Sequence, residues 1–140
     1  FNDVFDCGRG GSEIATDVLP RALDFINRNK ERDNWVLHFN IWDPHTSYRT
    51  PEEYGNPFED QPVASWVSRE MIDAQQDSFG PHCALLPLDT TKREPMSREV
   101  KRVSSLEDYK KWIDGYDTGI RFADDAVGKL LEKYEGVKGY

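Results

Sequence analysis

The residues best suited to chemistry lie in one short run, Asp43-Pro44-His45-Thr46-Ser47-Tyr48-Arg49. A histidine titrates near neutral pH, so it can act as general acid or base. An arginine nearby adds a fixed positive charge and a fork of donors. His45 and Arg49 together could contact an anion. The plainer alternative is a proline-stiffened loop in which Asp43 caps a turn and His45 is solvated. Other combinations offer less. His38, His45 and His82 lack H-x-x-x-H zinc spacing. Ser12, Ser47 and Ser78 lack a G-x-S-x-G elbow. Gly8-Arg9-Gly10-Gly11 has no lysine after it and no clear strand before it, so it is not a phosphate loop. His82 and Cys83 are neighbours along the chain, and such neighbours rarely face each other. Cys7 and Cys83 form no C-x-x-C, and two cysteines are too few for a disulfide framework. A single bridge between them and two free, partly buried thiols both remain open.

The element that must position the run is Trp35-Val-Leu-His-Phe-Asn-Ile-Trp42. It is short, aromatic and β-branched, with apolar residues at every odd position. That pattern predicts a central strand covered by helices on both faces. Asp43-Pro44 ends it, because proline cannot donate to a ladder. In open α/β sheets ligands bind just beyond the carboxyl ends of strands, where His45 would lie. Before the strand, Val18, Leu19, Ala22, Leu23, Phe25 and Ile26 recur at helical spacing. Ser12, Thr16 or Asp17 would cap that helix, Pro20 would fall in its first turn, and it would end near Asn29 or Lys30. After the strand, 46–68 is a Pro- and aromatic-rich ordered loop. A short helix follows from Ser68 or Arg69 to Asp77, then an irregular Pro81–Pro95 stretch and a weak helix over Ser97–Val103. Ser105-Leu-Glu-Asp108 is an imperfect capping box, with Asp where Glu or Gln is usual. It opens the longest helix, about Leu106 to Tyr134, which Gly136 would end. Gly115, Gly119 and Gly128 each weaken it by about 1 kcal/mol relative to Ala, and could admit a close neighbour.

Composition narrows the class. The chain has 140 residues, with 18 Lys and Arg against 26 Asp and Glu, a net charge of −8. With a pI near 4.9 it is not a general nucleic-acid binder, which needs a basic face. Aromatic residues make up 12%, more than a disordered chain carries. No run approaches the ~18–20 apolar residues of a membrane span. The mean hydropathy of −0.77 is low. The low apolar fraction, 37%, suggests that some apolar surface is meant for neighbouring structure, and that 1–140 is one partial domain of a larger protein.

Residues 35–58 resemble the sulfatase family of the alkaline-phosphatase superfamily. In that family a core strand runs into Asp-Pro-His-x-Pro-Tyr/Trp and then Pro-x-x-Tyr. Here these are Asp43-Pro44-His45, with Ser47 in place of the common proline, and Pro51-Glu52-Glu53-Tyr54. The block Tyr116-Asp-Thr-Gly-Ile-Arg-Phe-Ala-Asp124-Asp-Ala-Val-Gly128 is similar to the family's Tyr-x-x-x-Ile-x-x-x-Asp-x-x-Val/Ile-Gly helix. The order and spacing of the two blocks also fit.

The resemblance implies an α/β fold, a fragment of a three-layer sandwich with few strands and flanking helices. It implies a sulfuric ester hydrolase in which His45 contacts sulfate or assists departure of the alcohol. Arg49 would help bind the substrate, a small-molecule or sugar sulfate ester. Asp43, Pro44, Tyr116, Asp124 and Gly128 would be structural. The family's nucleophile is a formylglycine made from C-x-P/A-x-R, beside a divalent metal, Ca or Mg. Neither Cys7 nor Cys83 begins that motif, and Asp124-Asp125 lies within a helix. This segment is therefore expected to hold no metal or cofactor and to be inactive alone. A phosphodiesterase or phosphonate hydrolase shares the fold and differs at residues not present here. The reading from another class is a noncatalytic interaction module, with the loop Tyr48–Trp66 as its contact surface. An isolated segment with open sheet edges is also prone to dimerise or swap elements.

Overall fold

The computed structural model describes residues 4–5, 13–45, 48–76, 98–100 and 102–138, without the side chains of 76 and 136–138. The cysteines, Thr46, Ser47, His82 and the glycine-rich turn at 8–11 lie outside the described residues. The elements are α1 (Ala15–Asn29), a 3-10 turn (Glu52–Tyr54), α2 (Arg69–Gln76) and α3 (Leu106–Lys138). Among the described residues there is no strand, so the α/β three-layer reading is corrected: the architecture is all-helical.

The correction has a physical cause. A strand exists only through hydrogen bonds to a neighbour. No backbone group of Trp35–Ile41 makes one to another described residue. The local pattern is still that of an extended chain: odd residues 35–41 are half-buried and even residues 36–42 are exposed. Only one face is covered, since Val36 remains 79% exposed.

Two compact units divide the chain, one of 1–43 with 120–140, the other of 44–119. In the first, α1 begins where Asp17 closes half of a capping box. Its carboxylate accepts the Ile14 N–H at 3.2 Å, and its own N–H donates to the Ile14 carbonyl. Ile14, the N-cap residue, has no polar side chain. Pro20 sits in the second turn, not the first, and leaves the Thr16 carbonyl without its usual donor. Ala15, Leu19, Ala22 and Ile26 form one buried stripe at helical spacing. Asn34, in the left-handed region at φ 62°, leads from the turn after α1 into the extended segment. Trp35 is held edge-on by Phe25 and Tyr134, with ring centroids 5.6 and 5.8 Å away. Such pairs add roughly 0.5–1.5 kcal/mol each beyond area burial.

In the second unit, Ser105 caps α3 by accepting the Asp108 N–H at 3.0 Å. The Asp108 carboxylate returns to Ser104, taking its N–H at 3.0 Å and its hydroxyl at 2.7 Å. The box is thus shifted back by one residue. Ile72, Val100 and Val103 form a small core with Tyr109 and Trp112 packed on it. Among the described residues 98–103 no helix forms. Lys110 donates to the Phe58 carbonyl at 3.0 Å and pairs with Asp114 at 2.5 Å, while Asn56 donates to the same Asp114 oxygen at 2.9 Å. The loop around 56–58 is thereby fixed to α3. Helix α3 runs past Gly136 to Lys138, so the expected glycine stop does not operate.

Candidate functional site

Asp43 is the most unusual titratable group among the described residues. It is 1% exposed, and its Oδ2 accepts the Ala15 N–H at 2.8 Å, across a sequence separation of 28. This carboxylate supplies the cap that Ile14 cannot. Its Oδ1 is buried and has no partner among the described residues. Burial pushes the Asp43 pKa up to about 6. The Ala15 hydrogen bond opposes the shift and the nearby Asp17 charge adds to it. A helix N-terminus ordinarily stabilises an anion; here loss of water outweighs that.

Two residues on, His45 is exposed and its carbonyl accepts the Tyr48 N–H at 3.0 Å. Pro44 between them is half-buried, as is Arg49. What immediately follows is more constrained than the sequence suggests. Tyr48 is 3% exposed and adopts φ 27°, a strained value for a bulky side chain. Burial raises its phenol pKa to about 12, with Glu99, Tyr116 and Asp117 adding to the rise. Arg98 donates to the Thr50 and Pro51 carbonyls at 2.9 and 2.7 Å, pinning the same loop. Tyr48 falls at the aromatic position of the Asp-Pro-His-x-Pro-Tyr/Trp element, but nothing in the sequence points to its burial; Thr50 and Arg98 carry no motif, and the one hint for them is the aromatic, proline-rich character of the loop.

The residues expected to be structural divide. Tyr116 meets Tyr48 edge-on, with ring centroids 6.4 Å apart, and is itself 43% exposed. Asp124 is exposed on α3. A Cβ on Gly128 would meet nothing within 4 Å, so close approach does not require glycine there. Gly115 is the tight one: a Cβ would lie 2.7 Å from the Arg98 carbonyl oxygen and 2.9 Å from Tyr48 Cδ2.

Two clefts open in the first unit. One, about 320 Å³, is lined by Ile26, Trp35, Leu130 and Tyr134 among others; a second, about 300 Å³, by Val18, Phe25, Val36 and Phe39 among others. Neither is lined by His45 or Arg49. Among the described residues no three His, Cys, Asp or Glu side chains are grouped to hold a metal ion. No helix among them is long and apolar enough to cross a membrane. Compared with family models, curated proteins and solved structures, the chain matches none.

Proposed function

We infer that the chain is a segment of a sulfuric ester hydrolase whose Asp43-Pro44-His45 run supplies a sulfate-contacting histidine. The supporting observation is how the three residues divide between interior and solvent. Asp43 is buried and tied to the Ala15 amide, Pro44 restricts the backbone, and His45 is exposed. On this reading His45 holds a sulfate oxygen or hands a proton to the departing alcohol oxygen, and Arg49 holds a second sulfate oxygen. On this reading the nucleophile and metal belong to residues beyond this segment.

The test is aryl sulfate turnover by the complete protein, with divalent metal supplied and formylglycine in place. His45→Ala should lower kcat/KM by roughly 10²–10⁴, the usual worth of a positioned acid–base group. Turnover of phosphodiesters in place of sulfate esters would move the reading to the related phosphodiesterases. An unchanged rate in His45→Ala would remove His45 from the site. A second reading, a noncatalytic contact module, draws on Trp66, which is 66% exposed. No turnover of either ester class by the unaltered protein would favour it.

A further inference from the structure

We propose that the Trp35–Trp42 segment pairs antiparallel with the same segment of a second copy of this chain. Four observations lead there. The backbone groups of Trp35–Ile41 make no hydrogen bond to another described residue. The segment is already extended and seated by its odd residues, so pairing costs little further ordering. It contains no Asp, Glu, Lys or Arg, although the chain carries −8 overall. Two like-charged copies can therefore meet here without opposing any charge directly. Finally, the segment is self-complementary in one register.

Placing Phe39 opposite its own copy sets Val36 against Trp42, His38 against Asn40 and Leu37 against Ile41. Over 36–42 each apolar residue then faces an apolar one and each polar residue a polar one, while Trp35 falls opposite Asp43 at the two ends of the ribbon. Val36 and Trp42, 79% and 44% exposed, cover each other twice across the two-fold axis. Shifting the register by one pair sets Val36 against Asn40 and loses the match. The paired ribbon gains about six to eight backbone hydrogen bonds.

Sedimentation velocity across a concentration series tests the pairing, with hydrogen exchange of the 35–41 amides as second readout. The chain should move from 16.2 kDa toward twice that mass, and protection of 35–41 should rise with concentration. Val36→Lys alters an exposed side chain, so helical circular dichroism should be unchanged while the dimer is lost. The double variant H38E/N40K sets opposite charges face to face in the proposed register and should restore or tighten association relative to H38E alone. A monomer at every concentration would overturn the proposal. So would a dimer that survives Val36→Lys but dissociates on Leu131→Lys, which would place the contact on the exposed stripe of α3.

Discussion

Replacing Asp43 with Asn should make the protein more stable at neutral pH and remove one component of its pH dependence. The Asp43 pKa is about 6 in the folded chain against 3.8 unfolded. Between those values the native state holds a proton that the unfolded state has released, so stability falls as pH rises. The stabilising contribution is fully present below pH 3.8 and is lost as pH passes through about 6. At ~1.36 kcal/mol per unit, the loss comes to about 3 kcal/mol. Asn keeps an oxygen for the Ala15 amide and stays neutral throughout.

Urea unfolding of wild type and Asp43→Asn, repeated from pH 3 to pH 8, gives the difference directly. The variant should gain on wild type by about 3 kcal/mol across that range and level off above the folded pKa. A flat difference would mean that the carboxylate feels no net cost of burial. A difference of opposite sign would mean that the helix N-terminus and the Ala15 bond outweigh desolvation, and the argument would be wrong at its root.

Gly115→Ala and Gly128→Ala should act in opposite directions on chemical denaturation. The first forces a Cβ against the Arg98 carbonyl and Tyr48 and should cost about 1–3 kcal/mol; the second meets open space and should gain up to about 1 kcal/mol from helix propensity. Ser105→Ala removes the acceptor of the Asp108 N–H and should cost about 1 kcal/mol, seen as faster amide exchange in the first turn of α3.

Helices were the legible part of this sequence. The spacing of Val18 to Ile26, the α2 run and the Ser105 box each locate an observed helix to within a few residues, because these signals are local. Trp35–Trp42 shows the limit. Its period-two pattern correctly marks an alternating, extended chain, but strand status depends on a partner that no local pattern can supply. Gly136 fails as a stop because a glycine only permits a left-handed turn and does not impose one. The exposure of His45 was compatible with both the solvated and the functional reading of its loop. The role of Asp43 was half visible: a cap was anticipated, but for a local turn, whereas its partner lies at Ala15. Gly115 is legible as a glycine that admits a close neighbour, but the neighbours themselves, Tyr48 and the Arg98 carbonyl, lie far along the chain and are not.

The division of the chain sets an order of events during synthesis. Unit 44–119 is contiguous, whereas the other unit joins 1–43 to 120–140. Tyr134, the ring against one edge of Trp35, is translated 99 positions after it (134 − 35). At 5–20 residues per second, that leaves an interval of roughly 5–20 s. For that time Ile26 and Trp35 wait without Leu130, Leu131 and Tyr134, and the nascent chain presents the kind of surface that chaperones bind. The intervening unit has all its residues before then, so it can fold first and carry the early half of its companion until α3 is finished.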